Sequence, residues 1–488
     1  MIFNSLTFVV FFIAVAVSYY LVPHKLRYPH LLAASLIFYM WSDPASVIWL
    51  AITTLVTWFA GILIGSGKSK SSKKTWLIIS LVINFGILFV FKYFNLFGEG
   101  VNALFGLLGS KYEIARSSLA APIGISFYTF QAVGYTIDVY RGKKEPQKNL
   151  LKYSVFVSFF PVILSGPIQR SDVLMPQLEE YHKFDYGLVT SGLKLCTMGL
   201  FKKIVVADTI AVYVNNVFGN IDAYDGFGLI VASILFTLQI YCDFSGYSDI
   251  AIGVARILGF RLGKNFDHPY FSTSIKDFWK RWHISLSSWF GSYLYIPLGG
   301  NRCSKARKYF NIMVTFLVSG IWHGASLTFI VWGALHGVYR VFGEITLPLR
   351  EKIHKAVHYD KAKRLKKAVS IFITFSLVSF AWIFFKASDI GDAFRFVGRL
   401  FTFNEGFGSR SYFFTELKNI FGERREMYLS AIVLPTFLFV SVFDHFKPLG
   451  AFISRRPQFI RFLIYLFAIL FIAIFARPDM QDFIYVQF

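Results

Sequence analysis

Residues 320–329, GIWHGASLTF, place His323 between two glycines in a run that is otherwise apolar enough for lipid. The apolar stretch Ile312 to Val318 precedes this segment. A second apolar stretch runs from Phe329, the last residue of the segment, to Leu335. An ionisable side chain at bilayer depth is costly, so such residues are normally surrounded by protein or water. His323 is therefore predicted to face a cavity rather than lipid.

The basic residues on both sides of His323 predict a helical hairpin. Lys308 is expected to mark the cytoplasmic interface, and His323 lies 15 residues further on. At 1.5 Å per residue this is about 22 Å, beyond the midplane of a hydrocarbon core of about 30 Å. The chain then returns to a second basic flank at Arg340. The bend is expected at Gly320–Gly324, where glycine permits a sharp turn, and it is tolerated at this depth only where protein or water lines it.

The expected environment of His323 suggests a chemical role. Loss of water should keep its imidazole neutral, and a neutral imidazole can accept the proton of an attacking hydroxyl as a general base. A purely structural role remains an alternative. His336 lies 13 residues further on and projects from another side of its helix, so the two histidines are not predicted to bind a metal without other ligands. No metal-binding motif is visible in the sequence.

The composition is that of a polytopic helical membrane protein. Of the 488 residues, 55% are hydrophobic and only 16% are charged, against about 25% charged residues in soluble proteins. Apolar runs long enough to cross the membrane recur along the chain. The net charge of +22 comes from basic residues between these runs, which fits the positive-inside rule better than nucleic-acid binding. Three widely spaced cysteines indicate neither a disulfide framework nor a zinc site.

Residues 1–488 are interpreted as one integral-membrane domain, since no repeat or soluble domain is visible. The first apolar run is expected to be a retained span, because it lacks the basic region of a signal peptide. Basic loops at 67–74, 141–152 and 346–367 are expected in the cytoplasm and loop 387–426 outside, which places both termini outside. A cytoplasmic 267–308 would then require one predicted span, 227–258 or 151–166, to enter and return on the same side. The predicted spans are 5–22, 31–42, 46–65, 76–97, 121–139, 151–166, 188–215, 227–258, 368–386, 427–445 and 459–476.

A group of polar residues lies inside one predicted span. The stretch YCDFSGYSDIAIG, 241–253, contains Asp243, Ser245 and Tyr247 among apolar neighbours. Asp243 and Tyr247 are one helical turn apart, which favours a structural hydrogen-bond network between helices. The alternative is that these side chains line a cavity, and a catalytic role for the carboxylates is possible but not favoured.

The segment 274–302 is predicted to contain a helix that lies in the plane of the membrane interface. Apolar residues recur every three or four positions from Ile275 to Tyr293, opposite polar residues such as Lys280 and Arg281. His283 lies at the border of this stripe. It either bonds a lipid headgroup or a backbone carbonyl, or it belongs to the cytoplasmic rim of an active-site tunnel.

A basic cluster follows at 301–308, NRCSKARK, and it includes Arg302 and Lys305. Such clusters usually anchor a chain at the anionic membrane surface. Arg and Lys also bind phosphates, so the alternative is that the cluster binds a polyanionic donor such as coenzyme A at the mouth of a tunnel.

Eight stretches of the sequence carry a resemblance to one family: PIGISFYTFQAVGYTIDVYRG (122–142), GPIQR (166–170), YCDFSGYSDIAIG (241–253), DFWKRWHISLSSWFGSYLYIPLGGNR (277–302), GIWHG (320–324), WGALHG (332–337), WIFFKA (382–387) and FIYVQF (483–488). Taken together, these motifs resemble the membrane-bound O-acyltransferases, in particular the bacterial branch typified by the membrane subunit of alginate O-acetyltransferase. Lys386 and Val486 depart from the branch, which commonly has arginine and phenylalanine there.

The resemblance implies an all-α polytopic fold, with about 11 transmembrane helices plus re-entrant and interfacial helices around a central tunnel. It maps the family's catalytic histidine onto His323 and its second histidine onto His283. It also implies acetyl-CoA as the acyl-donor substrate, with no tightly bound cofactor, and an exported polysaccharide as acceptor. A separate extracytoplasmic esterase-like transferase of the SGNH type is the implied partner, and the bacterial inner membrane the implied location.

We therefore expect an O-acetyltransferase in which His323 activates an acceptor hydroxyl. Lys280, Arg281, Arg302 and Lys305 are candidates for binding the donor phosphates, while Trp322 and Asn301 are candidates for positioning. A second interpretation is D-alanyl transfer towards teichoic acid from a carrier protein. A third is a transporter with broken helices, which should show inverted repeats that the sequence does not display.

Overall fold

The computed structural model describes residues 1–110, 112–356, 362–422, 424–477 and 483–484, and these residues are predominantly helical. Two segments, Phe201–Ala207 and Gly291–Tyr295, are π-helical. The α-helices are α1 (Leu6–Leu21), α2 (Arg27–Met40), α3 (Val47–Ser66), α4 (Lys70–Lys92), α5 (Phe94–Leu107), α6 (Ile125–Tyr140), α7 (Leu150–Ser158), α8 (Ser171–Glu179), α9 (Tyr186–Leu200), α10 (Asp208–Gly219), α11 (Gly226–Ile257), α12 (Ile275–Arg281), α13 (Ile284–Phe290), α14 (Lys305–His323), α15 (Leu327–Ile345), α16 (Leu347–Ala356), α17 (Lys363–Lys386), α18 (Ile390–Arg399), α19 (Arg410–Phe421), α20 (Arg424–Phe446), α21 (Leu449–Ser454) and α22 (Gln458–Phe475).

Several helices have the length and apolar composition needed to cross a membrane. Among the described residues, 6 helices meet both criteria, namely α3, α4, α11, α17, α20 and α22, and the apolar α1 is somewhat shorter. The predicted polytopic helical membrane protein is thereby confirmed. The predicted number of about eleven spans and the orientation of the loops stay predictions.

Helix α11 runs through the centre of the fold. It is continuous over 32 residues, and most of its side chains are buried. Residues 227–258 therefore do not enter and return on the same side. The other predicted candidate for such a path, 151–166, is helical only as far as Ser158 and continues as a buried turn.

Helix α9 packs closely against α11 through two pairs of glycines. A Cβ atom at Gly199 would lie 2.5 Å from the carbonyl oxygen of Gly246, and one at Gly192 would lie 2.6 Å from that of Gly253. Small residues at such crossings let two helix backbones approach one another, which is a common way to pack helices where lipid removes the hydrophobic drive.

The predicted hairpin is confirmed, because α14 and α15 pack side by side and are joined only by 324–326. Lys308 and Arg340 both form ion pairs with Glu344 at the base of its two arms. The predicted role of the glycines is wrong, because α14 continues through Gly320, and Gly324 has an extended backbone with φ 176°. A Cβ atom at Gly320 would instead collide with the carbonyl oxygen of Phe329 on α15, so close packing requires this glycine.

The predicted continuous interfacial helix in 274–302 is wrong in two respects. The segment divides into α12 and α13 at His283, whose φ of 43° is left-handed and cannot belong to a right-handed helix. The apolar side chains of the stripe, such as Phe278, Trp282 and Leu286, are buried in the protein core rather than exposed at the headgroups. The break turns both short helices inward.

Candidate active site

His323 is the last residue of α14, and it is only 3% exposed. Its ring centroid lies 4.8 Å from that of Trp322 in the same helix, 5.0 Å from Trp332 of α15 and 5.2 Å from Phe385 of α17. These contacts surround His323 with protein side chains rather than lipid. A water-filled cavity beside it stays a prediction.

The end of α4 fastens the end of α14. The last carbonyl groups of a helix have no partner within the helix, and its C-terminus favours positive charge. Lys92 Nζ lies 3.3 Å from the carbonyl oxygens of Trp322 and of His323, and Tyr93 donates a hydrogen bond of 2.7 Å to that of Ile321. Lys92 also lies 3.3 Å from Ser126 Oγ at the start of α6.

Lys92 is not among the residues predicted from the sequence, although the sequence contains a signal for it. It is a single lysine within the apolar predicted span 76–97, and intramembrane cations are functional candidates by default. The structure shows what it binds, which the sequence could not.

His283 lies in the break between α12 and α13 and is only 1% exposed. Its ring centroid lies 4.6 Å from that of Phe244 and 6.2 Å from that of Phe127. The predicted location at a membrane interface, bonded to a headgroup, is therefore wrong. The inward turn of α12 and α13 places this histidine in the core.

The structure brings the two predicted catalytic histidines together. Trp322 is 5% exposed, and its ring centroid lies 4.8 Å from that of His323 and 6.4 Å from that of His283. One aromatic side chain thus neighbours both imidazoles.

Asp243 belongs to a buried ionic network between helices. Its Oδ1 lies 2.7 Å from Lys203 Nζ in the π-helical segment after α9, and Lys203 also binds Asp208 at 2.9 Å. The backbone N–H of Ile484 donates a hydrogen bond of 2.8 Å to Asp243 Oδ2. The structural interpretation of Asp243 is thereby favoured over a catalytic one.

Tyr247 has a different role from the one expected from its spacing. Its ring stacks on those of Phe3 and Phe483, each at 4.6 Å between centroids, so it links the segments that carry these two residues. Asp243 instead binds Lys203 and Ile484. Ser245 is buried on the same helix. The remainder of the terminal motif, 485–488 with Val486, lies outside the described residues.

Two of the candidate phosphate-binding residues lie at the end of α12, one lies in the turn before α14, and Lys305 is the first residue of α14. Lys280, Arg302 and Lys305 are exposed. Arg281 forms an ion pair of 3.0 Å with Asp277 in the same helix, which occupies part of its guanidinium. Their binding of phosphate stays a prediction.

Asn301, the other candidate for positioning, is exposed and accepts a hydrogen bond of 2.6 Å from the Tyr295 hydroxyl. It lies at the start of the basic cluster and away from the aromatic surroundings of His323. Within the described ranges, no group of three or more His, Cys, Asp or Glu side chains is arranged to hold a metal ion.

The part of the chain that contains this site is similar to a known protein family. A model described as MBOAT, membrane-bound O-acyltransferase family, matches residues 37–385, which include His283 and His323. The chain is 37% identical over 405 residues to the probable alginate O-acetylase of Pseudomonas aeruginosa, covering 83% of this chain and 75% of that protein.

Two other relatives act on different polymers according to their names. The peptidoglycan O-acetyltransferase of Helicobacter pylori is 31% identical over 430 residues, covering 81% of this chain and 79% of that protein. The teichoic acid D-alanyltransferase of Bacillus subtilis is 29% identical over 290 residues, covering 55% and 69%.

Proposed function

Because this chain belongs to the membrane-bound O-acyltransferase family, and is therefore an acyltransferase, we propose that it transfers acetyl groups for the O-acetylation of an exported polysaccharide. The donor is acetyl-CoA from the cytoplasm, and the protein lies in the inner membrane of a bacterium with both termini outside. The observation that carries the proposal is the burial of His323 and His283 beside Trp322. The names of the alginate and peptidoglycan relatives support acetyl as the group transferred.

His323 acts as the general base in the proposed reaction. Its neutral imidazole takes the proton of the acceptor hydroxyl, and the oxygen attacks the thioester carbonyl carbon of acetyl-CoA. The new carbon–oxygen bond forms, the carbon–sulfur bond breaks, and the proton passes from His323 to the departing thiolate. The products are an acetyl ester and free coenzyme A.

The charged and polar residues near the cytoplasmic end of the hairpin would bind the donor. Lys280, Arg302 and Lys305 are exposed and suited to its phosphates, with Arg281 shared between phosphate and Asp277. An extracytoplasmic esterase-like enzyme is the proposed partner on the other side, and it would pass the acetyl group to the polysaccharide.

The test is a transfer assay with labelled acetyl-CoA on the purified protein in liposomes, with and without candidate partners. General bases contribute about 10²–10⁴-fold to a rate, so we expect His323→Ala to lower transfer by at least roughly 100-fold. His24→Ala, which changes a histidine in the turn before α2, is the matched control and should leave the rate unchanged. Wild-type transfer by His323→Ala would contradict the mechanism.

D-alanyl transfer from a carrier protein is the second candidate, favoured by the similarity to the teichoic acid enzyme. The same assay with a D-alanyl carrier protein separates the two donors, and inhibition by the free carrier would support this candidate. The transporter interpretation is not retained, because the chain belongs to a family of acyltransferases.

A further inference from the structure

We propose that Asn265 is a positioning residue, which holds His283 with its proton on Nδ1 and thereby makes Nε2 the proton acceptor of this imidazole. The inference rests on the proposed function, because it concerns a second imidazole of the same acyl-transfer site. Asn265 lies between α11 and α12 and is only 1% exposed.

The orientation of the Asn265 amide is fixed by its neighbours. The backbone N–H of Ser285 lies 3.2 Å from Asn265 Oδ1, and a backbone N–H can only donate, so this atom must be the oxygen. The Ser285 hydroxyl donates to the same oxygen at 2.9 Å while it accepts from the N–H of Ile168 at 3.1 Å. Asn265 Nδ2 in turn donates to Ser248 Oγ at 3.1 Å.

This orientation decides the tautomer of His283. Its Nδ1 lies 3.2 Å from Asn265 Oδ1, and a carbonyl oxygen can only accept, so Nδ1 must carry the hydrogen. In a neutral imidazole the other ring nitrogen then bears a lone pair. Nε2 is therefore the atom of His283 that can take a proton.

Asn265 also holds the backbone on which His283 sits. His283 has a φ of 43°, a conformation that residues other than glycine adopt rarely and that persists only where the surroundings enforce it. The two N–H groups that follow both bind Asn265: that of Ile284 reaches its carbonyl oxygen at 2.9 Å, and that of Ser285 reaches Oδ1. One residue thus fixes the turn, the ring and the tautomer.

The alternative is that Asn265 only fastens this turn and that the tautomer of His283 has no bearing on the reaction. A fastening residue would affect stability and leave the turnover of the folded protein intact. A positioning residue would change kcat in protein that remains folded, and its effect would depend on which hydrogen-bonding group replaces it.

The first experiment measures the tautomer directly in the wild type. Nitrogen-15 solid-state NMR of the full chain in bilayers, with labelled histidine, distinguishes protonated from bare ring nitrogens, and the signals that disappear in His283→Gln identify this residue. We expect a proton on Nδ1 and a bare Nε2. A proton on Nε2 would overturn the proposal, whatever the activity of any variant.

The second experiment uses the acetyl-transfer assay with Asn265→Leu, which keeps the volume and removes the hydrogen bonds. We expect kcat to fall by roughly 100-fold, the lower end of a general-base contribution, with KM changed by less than about threefold. Asn84→Leu is the matched control, since Asn84 is also 1% exposed but bonds only within α4, and it should retain wild-type kcat. Equal kcat in folded Asn265→Leu and in the control would contradict the proposal.

The third experiment measures the pH dependence of kcat in Asn265→Asp, which a merely structural role of Asn265 would leave unchanged. The carboxylate keeps an acceptor beside Nδ1, so kcat should recover in part, and it favours the imidazolium, so the acidic limb of the pH–rate profile should move to higher pH. Among the described residues, the charged or titratable groups around the site include His323 on α14, Lys92 on α4, Asp243 on α11 and Lys203 in the π-helical segment after α9, and all of them are the same in both proteins. An unshifted profile would count against the proposal. Absence of transfer by the wild type would refute the proposed function alone, because the NMR result stands independently.

Discussion

The ammonium of Lys92 lies 3.3 Å from the carbonyl oxygens of both Trp322 and His323, at the end of the helix that carries the proposed base. In Lys92→Met these buried carbonyl groups lose their donor, which costs about 1–3 kcal/mol. We expect a lower midpoint of thermal unfolding in detergent and a lower kcat, because the end of α14 is no longer fixed. Lys74→Met removes an exposed lysine near the start of α4 and should change neither. An unchanged midpoint and kcat in Lys92→Met would show that the contact is incidental.

At this same scale, the sequence located His323 but not its supporting residues. The distance from Lys308 along a helix was enough to place His323 deep in the fold, because helical rise is a local property. The contact of Lys92 with His323 joins residues 231 positions apart in the sequence, whereas that of Asn265 with His283 joins residues 18 positions apart, and both form only when separate elements pack together. A hydrogen bond of that kind leaves no periodic pattern to read.

Among the elements, the α14–α15 hairpin depends on glycine at its contact face. A Cβ atom at Gly320 would overlap the backbone of α15, and backbone atoms cannot move aside as a flexible side chain can. Overpacking of this kind costs typically about 1–3 kcal/mol, so Gly320→Ala should lower the unfolding midpoint and reduce transfer. Gly343→Ala in α15 meets open space and should be neutral or slightly stabilising, since alanine favours helix. Equal midpoints for these two variants would mean that the two helices can separate without penalty.

The interruption of α12 and α13 shows where a prediction from periodicity fails. The apolar spacing from Ile275 to Tyr293 continues through His283 without a break, so it predicted a single helix. The structure breaks the helix at that residue because Asn265, from another segment, binds the N–H groups of Ile284 and Ser285. At His283 the local apolar pattern specifies a helix and the tertiary contacts of Asn265 specify a turn. Such a conflict is common at functional positions.

Over the whole molecule, composition and charge predicted a polytopic helical protein, and the long apolar helices confirm it. The packing of those helices against one another could not be predicted from the sequence, because it depends on which helix faces contact each other. Lys203 and Asp243 lie in two different predicted spans, and only the register of the π-helical segment against α11 pairs them. Two opposite charges in separate apolar runs do not reveal that they are partners.

The Lys203 network joins α11, the segment between α9 and α10, and Ile484 near the end of the chain. Lys203→Met would remove the ammonium that two buried carboxylates bind, and breaking such a pair costs about 3–5 kcal/mol, so we expect a large fall in the unfolding midpoint. Adding Asp208→Asn and Asp243→Asn should restore most of it, because no buried charge then remains unpaired. Lys202→Met is the control, since its partner Asp249 has a side chain 21% exposed against 3% for Asp243, and water can compensate part of the loss. If Lys203→Met and Lys202→Met unfold at the same temperature, the burial of an ion pair does not determine how much that pair contributes to the stability of the protein.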